Sequence, residues 1–117
     1  KELIIRGGEN IAPREIDDVL YRHDAILEAA AVGVDDENYG QEVVACVVRR
    51  DGHHCSEQEL KLLCENAVGK VKTPKHIYFM DDLPKGPSGK ILRPKLPDII
   101  SSMNLRPSPA DQKEPWS

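Results

Sequence analysis

Two apolar runs set close together constrain this chain more than any other feature. "ILEAAAVGV" covers residues 26–34, "EVVACVVRR" covers 42–50, and "DDENYGQ" between them is made of turn-forming residues. Runs of this length, joined by a short polar connection, predict neighbouring antiparallel strands in a small sheet. The second run is apolar almost without interruption, which predicts a strand covered on both faces.

The flanking segments supply helices and more strand. "LII" at Leu3–Ile5 reads as a short strand entering the turn "GGEN", whose two glycines tolerate positive φ. Pro13 suits the first turn of a helix, with Glu15, Asp17 and Asp18 set against its positive end. Ile16, Val19 and Leu20 fall on one stripe of that helix. A second helix is announced by Ser56 and Glu59 at capping-box spacing. Leu60, Leu63, Cys64, Ala67 and Val68 keep its period until Gly69. "HIYFM" at residues 76–80 predicts a further strand, and "ILRPKLPDIISSM" a short last helix broken by Pro94 and Pro97. The fold class is therefore α+β: a short strand or hairpin with a glycine loop, then a small, mainly antiparallel sheet with amphipathic helices packed on it. Residues 1–103 form one domain, and the proline-rich stretch 104–117 is expected to be disordered.

Composition narrows the function classes. A chain of 117 residues builds one modest core and no deep substrate cavity. Charged residues at 31%, aromatics at 4% and a net charge of -4 predict a soluble globular domain and argue against a nucleic-acid binder. Basic residues gather late, at Lys70, Lys72, Lys75, Lys85, Lys90, Arg93 and Lys95, with only Asp81 and Asp82 among them. Solvated surface accounts for most of these, Lys72 and Lys75 included, although such a stretch can also face a phosphate-bearing ligand. Cys46, Cys55 and Cys64 form no disulfide pattern, and no apolar stretch is long enough to span a bilayer, so a cytoplasmic setting is expected. "HHC" at 53–55 lacks the second ligand pair that structural zinc needs, and no metal ligands are predicted. Cys64 keeps the helical period and reads as core.

"LPKGPSGKILR" at 83–93 places Lys90 behind a glycine, as in a phosphate-binding loop. Only Pro87 and Ser88 separate Gly86 from Gly89, however, and Ile91 stands where a Ser or Thr would reach magnesium. Taken together, "KELIIRGGENIAPREID" and "LPKGPSGKILR" resemble the C-terminal domain of the adenylate-forming enzymes, which include acyl-CoA synthetases, adenylation domains of nonribosomal peptide synthetases and beetle luciferase. The resemblance covers residues 1–96 and carries both motifs in order.

That resemblance implies a two-step ligase. A carboxylic acid attacks the α-phosphate of ATP in the presence of Mg2+, and a thiol, in acyl-CoA synthetases that of CoA, then displaces AMP. The small domain rotates on a larger N-terminal adenylation domain between steps. Lys90 matches the lysine that enters the site for adenylation. Gly8 matches the glycine that lets the backbone approach the pantetheine arm of CoA, and Gly7, Glu9 and Asn10 line or brace that channel. Lys1 matches the hinge position, so the chain reads as a piece cut at the hinge, with ATP and Mg2+ held mainly by the missing domain. The motifs resemble acyl-CoA synthetases acting on fatty, aromatic or dicarboxylic acids more than peptide synthetase modules. Two other readings share them: an adenylation subdomain loading a carrier protein, and a non-catalytic binding module of the same fold. Each motif also has a plain structural reading, Lys90 as loop charge and Gly7–Gly8 as a tight turn. For Pro13 and Glu15 the plain reading, the start of a helix, is preferred.

Overall fold

The computed structural model describes residues 2–104. Lys1, and with it the hinge assignment, lies outside the described residues, as does the expected disordered tail 104–117 apart from Asn104, which instead ends the last helix.

The chain opens with a hairpin of β1 (Ile4–Arg6) and β2 (Glu9–Ile11), followed by helix α1 (Pro13–Leu20). Strands β3 (Ile26–Asp36) and β4 (Gly40–Arg49) pair antiparallel from Ile26↔Arg49 to Asp36↔Gly40, as the two apolar runs predict. Leu27 is an extra residue in this ladder, since Ile26 and Glu28 face adjacent positions on β4, and its side chain is exposed. A bulge of this kind keeps the alternation beyond it in phase with the two buried faces. Helix α2 (Glu57–Val68) then leads to β5 (His76–Phe79). β5 runs parallel to β4, with Val44↔His76 to Val47↔Phe79 in register. A parallel pair needs a crossover of a dozen residues or more, and α2 supplies it. The sheet order is β2-β1-β4-β3, with β5 also on β4.

β4 shows why its sequence is apolar throughout. Val43, Ala45 and Val47 enter a core with Ile16, Val19, Leu20, Leu60 and Cys64 from α1 and α2. Val44, Cys46 and Val48 enter a second core on the opposite face with Leu83, Leu96 and Ile100. The sheet is thus covered on both sides, by α1 and α2 on one and by the last segment of the described chain on the other.

That last segment departs from expectation. Pro94 sits in a 3-10 turn at Arg93–Lys95, and α3 (Leu96–Asn104) starts immediately after it. Pro97 therefore lies in the first turn of α3, where a missing N–H costs nothing, and opens the helix instead of breaking it. Asp17 also differs. It lies beyond the first turn of α1 and is buried, so its carboxylate serves tertiary contacts and not the helix dipole. Ser56 and Glu59 form the predicted capping box, and Gly69 closes α2 at φ 87°.

Candidate functional site

Two loops carry the residues singled out by sequence, and different physics shapes each. Arg6 and Glu9 face each other across the β1–β2 ladder, leaving Gly7 and Gly8 as a two-residue turn at φ 57° and 88°. Both angles are positive, which suits glycine and matches the twist of a tight hairpin. The Gly7 N–H donates to the Tyr39 carbonyl at 2.8 Å. A Cβ on Gly7 would lie 3.3 Å from the Tyr39 ring, whereas one on Gly8 would meet nothing within 4 Å. Gly7 thus answers to packing and backbone angle together, while Gly8 stands on open space. Glu9 and Asn10 are exposed beside it.

Arg6, Tyr39 and Glu42 brace this turn. The Arg6 guanidinium lies 3.9 Å over the Tyr39 ring, and its Nε donates to the buried carboxylate of Glu42 at 2.9 Å. That hydrogen bond, outweighing the opposing effect of burial, raises the Arg6 pKa above its ordinary value. Nothing in the linear order marks these three as a group, because they meet only when β1 docks on the start of β4.

The Lys90 loop is a small hairpin. Lys85 and Ile91 bridge antiparallel, the Gly86 N–H donates to the Lys90 carbonyl at 2.9 Å, and the Leu92 N–H donates to the Pro84 carbonyl at 2.8 Å. At its tip the Gly89 N–H donates to the Gly86 carbonyl at 3.0 Å, with Gly89 at φ 86°. Its two lysines have opposite situations. Lys85 donates to Glu28 at 3.0 Å, to Asp82 at 2.7 Å and to the Leu83 carbonyl at 3.3 Å. Lys90 is exposed, and among the described residues its ammonium has no hydrogen-bond or ion-pair partner. The loop is held by one cation and presents the other.

The two loops are anchored at opposite ends of the β3–β4 hairpin. Lys85 grips Glu28 near the start of β3, while the glycine turn bonds Tyr39, just past its end at Asp36. Residues 28 and 36 are about 26 Å apart along an extended strand at about 3.3 Å per residue.

Other sequence candidates have structural positions. Lys72 pairs with Glu15 at 3.1 Å. Cys55 is buried and its carbonyl accepts from Arg49 at 3.1 Å. Among the described residues no group of three His, Cys, Asp or Glu side chains could hold a metal ion, and no helix is long and apolar enough to cross a membrane.

A three-layer α+β domain with a glycine turn at one end and an exposed lysine on a Gly-Pro-Ser-Gly loop at the other defines a recognisable class. The chain belongs to the family of AMP-binding enzyme C-terminal domains, whose model matches residues 15–90. It is 58% identical over 96 residues, 82% of this chain, to sulfoacetate–CoA ligase of Cupriavidus necator, of which it covers 19%. Apo MatB from Rhodopseudomonas palustris superposes with a TM-score of 0.83 at 32% identity, covering 88% of this chain and 20% of that one. The o-succinylbenzoate-CoA synthetase MenE from Bacillus subtilis, solved with its acyl-adenylate intermediate, gives a TM-score of 0.77 at 38% identity over 81% of this chain and 19% of that one. The chain spans about a fifth of the length of these relatives.

Proposed function

We propose that this chain is the mobile C-terminal lid, residues 1–103, of an AMP-forming acyl-CoA synthetase, and that its two loops serve the two half-reactions in turn. The observation that carries this reading is the Lys90 ammonium, without a partner among the described residues, on a braced loop anchored at the opposite end of β3–β4 from the open glycine turn. Relatives that are CoA ligases, and one solved with an acyl-adenylate, support the same chemistry. Lys1 is assigned to the hinge, a larger N-terminal domain to most of the ATP and acyl contacts, and the setting to the cytoplasm. Mg2+ accompanying ATP is assigned to that larger domain, where it would offset phosphate charge.

In the first step a carboxylate oxygen attacks the α-phosphorus of ATP, and the bond to the bridging oxygen of the leaving pyrophosphate breaks. Negative charge moves onto pyrophosphate as it leaves. Lys90 supplies a point charge on a long stem, contacting carboxylate and phosphate oxygens in a site that excludes water once the lid is closed. A preorganised donor of this kind contributes on the order of 3 kcal/mol to transition-state stabilisation. In the second step the lid presents the Gly7–Asn10 turn, and the open face at Gly8 admits the thiol-bearing arm of CoA. The thiol sulfur attacks the acyl carbon, the bond from that carbon to the phosphate oxygen breaks, AMP departs, and the thiol proton passes to solvent.

The test uses the intact enzyme carrying this chain, with pyrophosphate release and thioester formation measured separately by stopped flow. Lys90→Ala is expected to slow adenylation about 100-fold, in line with a loss of about 3 kcal/mol, and to spare thioester formation from preformed adenylate. Gly8→Trp is expected to do the reverse. Equal losses in both steps for both variants would remove the alternating-lid reading.

A further inference from the structure

Arg93 lies three residues beyond Lys90 and makes contacts that no surface arginine needs. Its Nη2 donates to Asp17 Oδ2 at 2.9 Å, and its Nη1 donates to the Ala31 carbonyl at 2.7 Å and more loosely to Asp17 Oδ1 at 3.3 Å. Its Nε donates to Glu2 at 3.2 Å. Asp17 is buried and also accepts the Ala31 N–H at 2.6 Å. One guanidinium therefore joins the exit of the Lys90 loop to α1, to β3 and to the start of the chain.

We propose that Arg93 is the positioning residue for Lys90, a role that rests on the adenylation reading above. The loop has two stems, and both are bolted to β3. The entry stem is held by Lys85 on Glu28, and the exit stem by Arg93 at Ala31, three residues further on. These bolts are unequal. The partners of Lys85 are partly solvated, and exposed ion pairs hold geometry weakly. The Arg93 side chain is 18% exposed against 9% for Asp17, and its planar fork fixes direction as well as distance. From Arg93 the constraint reaches Lys90 through short steps: the Leu92 N–H on the Pro84 carbonyl and the Lys90 carbonyl on the Gly86 N–H. Lys90 itself has no partner among the described residues, so the aim of its ammonium is set by the loop backbone alone. Glu2, next to the proposed hinge residue, ties that backbone to the segment about which the lid turns.

Arg93→Lys keeps the charge and loses the fork. In the intact enzyme it is expected to lower kcat of acid-dependent ATP–pyrophosphate exchange about 30-fold, with KM for ATP and acid within about twofold. Thioester formation from preformed adenylate should remain at the wild-type rate. A purely structural role would lower both half-reactions together, and that result, or normal exchange, would overturn the proposal. Should Arg93→Lys fail to fold, the double variant Arg93→Met with Asp17→Leu decides. Replacing both partners of a buried pair by apolar residues removes the fork without stranding a charge. The Ala31 N–H and carbonyl lose their side-chain partners as well, so folding of the variant is verified by circular dichroism before exchange is read. Exchange slowed alone supports the proposal, and normal exchange or an equal loss in both steps overturns it. Lys90→Ala is run in parallel. If that variant exchanges normally, the adenylation reading falls. If it fails to exchange while the Arg93 variants are normal, only the positioning role falls.

Discussion

Cys46 on β4 and Cys64 on α2 are fully buried, and burial pushes their thiol pKa values up to about 12 and about 11. Cys55 is raised as well, by burial acting against the nearby positive charge of Arg49. None is poised as a thiolate nucleophile, in keeping with the helical period that marks Cys64 as core. The same shifts make a linkage prediction. Below pH 9 the thiols are neutral in both folded and unfolded chains, and their contribution is fully present. Above pH 9 the unfolded thiols ionise while folded Cys46 and Cys64 keep their protons, so stability falls as pH rises toward 11, at about 1 kcal/mol per thiol per pH unit. Urea unfolding at pH 8, 9 and 10 is expected to show a shallower alkaline loss for Cys46→Ala than for wild type. Parallel slopes for the two proteins would contradict the assignment. At this scale the placement of Gly7, Gly8 and Lys90 on glycine-bearing loops was legible, but the partnership of Arg93 with Asp17 was not. Seventy-six positions separate them, and no local pattern records a contact made by folding.

Helix α2 is the element whose limits the sequence shows best, because its signals are local. Ser56 Oγ accepts the Glu59 N–H at 3.1 Å, and Glu59 Oε1 accepts the Ser56 N–H at 3.2 Å. Ser56→Ala is expected to cost about 1 kcal/mol of domain stability by chemical denaturation, with Ser56→Asp recovering most of it. Equal stability of wild type and Ser56→Ala would mean that packing of Leu60 and Cys64 holds the helix start unaided. The directions of the strands were harder to read. A local apolar run at 76–80 predicts a strand, yet that β5 lies parallel to β4 depends on the α2 crossover. Pro94 and Pro97 show the same limit. A proline reads as a breaker until the structure reveals that it occupies a helix start, where it is tolerated.

As a whole molecule the domain presents its candidate groups outward. Lys90, Gly8, Glu9 and Asn10 are exposed at two separated ends, and no described wall encloses either set. An open depression of about 750 Å3 is lined by Asp35, Asp36, Glu42 and Asp98 among others, without Lys90 or Gly8. Four carboxylates there make a poor seat for a triphosphate. The purified 117-residue chain is therefore expected to release no acid-dependent pyrophosphate above blank, measured with a panel of carboxylic acids. Robust turnover by this chain, free of contaminating ligase, would show that the catalytic surface is complete without a larger domain.

The sequence by itself determined the elements and their faces. Hydrophobic period, capping residues, glycine turns and the two motif loops all act over a few residues, and local order suffices to specify them. Only the tertiary structure decided which loop residues are held and which are free. Lys85 and Lys90 stand five positions apart in one motif, yet Glu28 and Asp82 engage the first and leave the second without a partner among the described residues. The physical reason is that an ion pair depends on distance in space. Glu28 comes within reach of Lys85, and Asp17 and Ala31 within reach of Arg93, only after the sheet has formed and the final segment has packed across it.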